Sequence, residues 1–194
     1  MHKHMTALAR TMAAIGGIVL TLLILLTCLS IAGRLLNGFF HGGFMQGLMP
    51  GFANWMLDVG VGPINGDFEL VEAGVAFAIF SFIPLCQITA GHASVDILAN
   101  NFPKRVNRFL RMITEIAFAA VLILIAVRLG DGMLSKLRNG ETSFLLQFPV
   151  WWAYAASLVA AMVAALVGVY MAAIRTYEFL TGRILIWDGV EAEQ

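Results

Sequence analysis

From Ala73 to Ala90 the chain runs for about 18 residues without a charge. It enters this run through two carboxylates, Glu69 and Glu72, and leaves it through Gly91, His92, Val95 and Asp96. A run of that length and polarity is one crossing of a bilayer, with a marked entrance and a marked exit. Inside the hydrocarbon the backbone must satisfy its own hydrogen bonds, so the crossing is helical. The whole unit extends from Phe68 to Pro103, and what flanks it fixes the orientation of every other crossing.

Three further segments share the pattern, and none of the four shows strand alternation. The spacing predicts membrane helices over about residues 11–33, 68–90, 107–129 and 148–174. The expected fold is therefore all-α: one domain over residues 1–194, a polytopic four-helix membrane protein with short interfacial helices. Composition agrees, with 60% hydrophobic residues, 12% charged residues and a mean hydropathy of +0.85. A soluble domain of this size carries far more charge. The formal net charge is zero, which gives no footprint for nucleic acid. Cys28 and Cys86 lie deep in apolar runs, where a thiol serves as a small apolar filler. The uncharged run Thr11–Gly33 exceeds the roughly 7–15 residues of a signal-peptide core and is expected to be a retained helix.

Orientation follows the basic residues. Lys104, Arg105, Arg108 and Arg111 crowd the loop between the second and third crossings, Lys3 and Arg10 precede the first, and Arg175 and Arg183 follow the fourth. The opposite side holds Arg34, Arg128, Lys136 and Arg138. The imbalance places both termini in the cytoplasm.

The outer loop, residues 34–67, contains PGFANWMLDV over residues 50–59. Phe52, Trp55, Met56 and Val59 share a helical face, and proline suits a first turn. The segment reads as an interfacial helix with Trp55 at headgroup depth, or equally as a loop packed against the crossings. On the inner side Ser94 can cap a short helix through Leu98 that Pro103 ends, beside cations that would meet anionic lipid. In the fourth crossing Ala156, Ala160, Ala164, Gly168 and Ala172 recur every fourth residue, a stripe that lets a neighbouring helix come close. These alanines make the fourth crossing the expected face toward a partner.

The polar residues near the bundle offer little chemistry. Glu69 and Glu72 share one face of the outer turn of the second crossing, and Arg34 leaves the first at similar depth. An Arg34–Glu72 pair is expected, and breaking a pair in low dielectric costs about 3–5 kcal/mol. Binding of a transported cation or proton is the alternative. Glu115 lies one turn past Arg111, Pro84 interrupts the second crossing, and Gln87 is the polar side chain nearest to it. His92 and Asp96 have i,i+4 spacing, but a metal needs more ligands. His2, His4, His41 and His92 all lie at ends or in loops, where axial haem ligands are not expected. No phosphate loop and no Ser/His/Asp set is present, so neither an enzyme nor a cofactor is expected.

GHASVDILANNFP, Gly91–Pro103, resembles the G-H-x-x-V-D-x-L…P segment of the small, DctQ-like permease subunit of tripartite ATP-independent periplasmic (TRAP) transporters. Arg34 closing the first crossing, acidic residues opening the second and the four-crossing plan are similar too, over roughly Leu20 to Arg183. The resemblance implies a multi-pass protein of the bacterial inner membrane. It also implies two partners: a large permease subunit that carries the substrate and sodium sites, and a periplasmic binding protein that delivers an organic acid. The small subunit would be a scaffold, embedded in membrane lipid, that holds the large one's fixed part in ion-gradient-driven uptake. Arg34, Glu69, Glu72, His92 and Asp96 would then organise the bundle or its interface, with Ala160, Ala164 and Gly168 packing it. The competing readings are a self-sufficient oligomeric channel or transporter and a membrane anchor for a redox enzyme.

Overall fold

The computed structural model describes residues 2–89 and 104–182. Six helices occupy them: α1 His2–His41, α2 Gly43–Leu48, α3 Pro50–Asp58, α4 Asp67–Ile88, α5 Lys104–Asn139 and α6 Trp151–Thr181. No strand occurs among the described residues; Thr142 and Pro149 form one isolated bridge. Four helices, α1, α4, α5 and α6, are long and apolar enough to cross a membrane.

Three of these helices outrun their sequence-based bounds. The third crossing was expected to stop near Leu129, but α5 continues to Asn139, so Arg128, Lys136 and Arg138 ride on the helix. Charge ends the apolar run without ending the helix, because lysine and arginine are good helix formers. The same holds at the start of α1, where Lys3 and Arg10 are helical. α4 passes through Pro84, which is fully buried.

Packing follows the order α1–α4–α6–α5: α4 lies between α1 and α6, and α6 between α4 and α5. Small residues make each contact. A Cβ on Gly16 of α1 would lie 2.6 Å from Ser81 Cβ of α4, and one on Gly168 of α6 would lie 3.2 Å from both Gln87 of α4 and Leu122 of α5. Ala160, Ala161 and Ala164 are fully buried. The middle of the alanine stripe is thus spent inside the chain, between α4 and α5, while Ala156 at its start stays exposed. The buried part of the stripe packs α6 against its own neighbours. The sequence showed a close-packing face but not whose helix covers it.

Each contact also fixes which ends lie together. Ser30 meets Asp67 at one end. At the other, His2 stacks on Tyr170, and Ala9, Ile88, Val167 and Met171 form a core cluster. Arg108 Nη1 donates to the Gly182 carbonyl at that same end.

Helix α3 fills Pro50–Asp58, with proline in its first turn. It packs on α1 through buried Ala53 and through Phe52, whose ring lies 6.0 Å from that of Phe40. Trp55 and Val59, on the apolar face read from the sequence, stay exposed.

Candidate functional site

The end of the bundle that carries Arg34 is built from one-residue tethers. Gly66 adopts φ +80°, a left-handed conformation that suits glycine, and so turns the chain into α4. Asp67 follows in the first helical turn, where the helix dipole favours negative charge. Buried Ser30 of α1 donates its hydroxyl to Asp67 Oδ2 and accepts the backbone N–H of Ile64 at 3.2 Å. Asn37 Nδ2 donates to the Val61 carbonyl at 2.8 Å. The segment entering α4 is therefore held against α1 by side chains.

Arg34 does not pair with Glu72. Its Nη2 lies 4.0 Å from Asp67 Oδ2, and its side chain is 67% exposed. Asp67 sits more than a turn before Glu72, at the level where α1 presents Arg34. The expected pair has the right helix and the wrong carboxylate, because relative depth along two helices cannot be counted from residue numbers alone. At that exposure and distance the pair contributes little.

Glu69 has a different task. Its two carboxylate oxygens accept the backbone N–H groups of Leu145 at 2.6 Å and Leu146 at 2.9 Å. Those amides belong to a tight turn between α5 and α6, closed by Ser143 N–H donating to the Phe148 carbonyl and Val150 N–H to that of Glu141. Gln147 takes φ 55° within it, and its Nε2 donates to the Phe144 carbonyl. At the turn's base Lys136 donates to Glu141, and this bond, with a second from Asn139, holds the Glu141 carboxyl below its ordinary value.

The turn wedges between the N-terminal ends of α4 and α6 and leaves a cleft on each side. The cleft toward α5 encloses about 740 Å³ and runs over Ala73, Ala76, Leu129 and Phe148, with Glu72 in its wall. The cleft toward α1 is about 580 Å³ and almost wholly apolar. Glu72 is exposed and makes no hydrogen bond or ion pair among the described residues.

At the opposite end, fully buried Gln87 of α4 donates Nε2 to Glu115 Oε2 of α5 at 3.3 Å. Arg175 and Glu178 of α6 form an ion pair at 2.8 Å with both side chains buried. Sequence reasoning missed this pair, although its i,i+3 spacing was visible. It also missed Ser30 and Asp67. His92 and Asp96, and the short helix expected over Ser94–Leu98, lie outside the described residues. Among the described residues no cluster of three or more His, Cys, Asp or Glu side chains could hold a metal.

Between these two polar ends the crossings are uncharged. Residues 11–29, 73–86, 116–127 and 152–172 contain no Asp, Glu, Lys, Arg or His. Residues 23–177 match the family described as tripartite ATP-independent periplasmic transporters, DctQ component. The chain belongs to that family. The match covers all of α2, α3, α4 and α5, about half of α1 and most of α6. No curated protein and no solved structure gives a significant match. A DctQ component is the small permease subunit of a TRAP transporter. The family implies association with a large permease subunit and with a periplasmic binding protein. With four membrane-length helices, the chain is a multi-pass membrane protein.

Proposed function

We propose that this DctQ subunit is a scaffold: it braces the large permease subunit in the bacterial inner membrane while that subunit moves the solute. The observation that carries the reading is the uncharged middle of all four crossings. Moving an anion or a sodium ion through lipid depth needs charged or polar groups along the way. Here the ionisable groups stand at the two ends, where they tie helices and loops to one another. A rigid frame needs such ties. The helices at either end of the packing order, α1 and α5, keep broad exposed apolar faces, including Leu22, Leu25 and Leu29 on α1 and Ile116, Val121 and Leu124 on α5. These faces are free for a companion, whereas Ala160, Ala161 and Ala164 of α6 are covered.

In this reading both termini are cytoplasmic, following the basic residues, and the Arg34 end faces the periplasm, where the binding protein docks. The substrate is an organic acid, taken up on an ion gradient through sites on the large subunit. The test is reconstitution in sodium-loaded and sodium-free vesicles, with each subunit omitted in turn. Uptake of a labelled organic acid should require the large subunit, the binding protein and this chain together. This chain should also co-purify with the large subunit. Flux through vesicles that hold this chain alone would refute the scaffold reading and favour a self-sufficient transporter.

A further inference from the structure

We propose that the cleft between α4, α5, α6 and the 143–148 turn is a lipid site selective for a primary-amine headgroup, that of a phosphatidylethanolamine. It is the larger of the two clefts flanking the turn, and its volume of about 740 Å³ falls within the roughly 300–1,000 Å³ of small-molecule sites. Ala73, Ala76, Leu129 and Phe148 line it with apolar surface. The small alanines make room on α4, and Leu129 and Phe148 supply broader contacts. Within the bilayer such a surface is filled by an acyl chain.

Glu72 makes the site selective. It lies five residues into α4 from Asp67, about 7.5 Å further along the helix. A carboxylate at that depth, exposed at the edge of an apolar cleft, is costly without a cation. Its neighbours do not provide one. Arg34 is turned to Asp67, Lys136 is held by Glu141, and Arg128 lies 3.8 Å from Asp131. Glu69, the other carboxylate in the cleft, is already engaged by the amides of Leu145 and Leu146. Glu72 is thus the acceptor left over.

A phospholipid in the same leaflet offers both complements at once, a chain for the apolar wall and an ammonium for the carboxylate. A primary ammonium donates charge-assisted hydrogen bonds to a carboxylate. A quaternary choline carries the same charge but has no N–H to donate, and a glycerol headgroup leaves the lipid anionic. The site therefore ranks ethanolamine above choline and glycerol at constant chain composition. It is independent of which compartment the Arg34 end faces.

The experiment is native mass spectrometry on the purified full chain, exposed to 1-palmitoyl-2-oleoyl lipids with ethanolamine, choline or glycerol headgroups. Wild type should retain the ethanolamine lipid over the other two by roughly tenfold, the scale of one charge-assisted hydrogen bond. Glu72→Gln should abolish the ranking while still binding lipid, and Ala76→Phe, which fills the cleft, should reduce retention of all three. Equal retention of ethanolamine and choline lipids by wild type overturns the proposal without recourse to any variant. So does a ranking that survives Glu72→Gln. A third outcome also overturns it: Glu72→Gln weakens co-purification with the large subunit and leaves the headgroup ranking unchanged. The cleft would then seat a cationic side chain of a protein partner.

Discussion

The carboxylate of Glu69 accepts the backbone N–H of Leu145 at 2.6 Å, joining positions 76 apart in the sequence. With the second bond, from Leu146, it converts the first turn of α4 into an anchor for the loop between α5 and α6. A carboxylate can take two amides side by side, one on each oxygen, and its charge strengthens both. Glutamine keeps the shape but offers one acceptor oxygen and no charge. Glu69→Gln should therefore raise hydrogen exchange several-fold at residues 144–147 while leaving the crossings protected. Glu72→Gln, which breaks no protein contact, should leave exchange in the turn unchanged. Peptide-resolved hydrogen–deuterium exchange in detergent reads both.

That contact explains what the sequence could and could not show. The four crossings were legible because each is a long apolar run, and lipid leaves a backbone only one way to be satisfied in such a run. The packing stripe on α6 was legible because alanines recur at helical spacing. The tethers were not. Ser30 looks like any serine in an apolar helix, and its role depends on Asp67 arriving at the same depth after a turn through Gly66. Likewise, nothing local to Glu69 reveals that two amides from another loop will meet it. Arg34 and Glu72 mark the same side of the membrane in the sequence, but the five residues along α4 that separate Glu72 from Asp67 are finer than such marks resolve.

The tether from Ser30 should outweigh the nearby ion pair. Ser30 is fully buried and serves two partners, Asp67 and the Ile64 amide. Ser30→Ala leaves that amide unsatisfied and should cost about 1–3 kcal/mol. Arg34→Ala removes a guanidinium that is 67% exposed and 4.0 Å from its partner, and it should leave stability unchanged within error. Unfolding of both variants in mixed micelles, followed by circular dichroism, provides the comparison. A larger loss from Arg34→Ala would reverse the order of importance.

Acid should loosen the base of the turn. The Glu141 carboxyl is held below its ordinary value of 4.5 chiefly by the Lys136 hydrogen bond and then by Asn139. A carboxylate depressed on folding adds stability that is fully present above its unfolded value and is lost as pH falls through its folded value. Exchange protection around residues 140–150 should thus hold at neutral pH and decline below about pH 4.5, once intrinsic exchange rates are corrected. Glu141→Gln should start from lower protection at neutral pH and show a flatter profile across the same range.

Gly168 tests whether α6 is an internal strut or a docking face. A Cβ there would stand 3.2 Å from both Gln87 Nε2 and a Leu122 methyl, so a larger side chain must separate α6 from α4 and α5. Gly168→Leu should cost about 1–3 kcal/mol in the isolated chain, as overpacking of a filled interior does. Leu166, two residues away, is 50% exposed, and Leu166→Ala should cost less than about 1 kcal/mol. If α6 instead met the large subunit through its alanine stripe, Gly168→Leu would leave the isolated chain as stable as wild type and weaken only the complex. Thermal unfolding of the chain alone, set beside co-purification of the same variants with the large subunit, separates the two. Loss of stability in the chain alone places Gly168 inside the frame, because no partner is then present to be displaced.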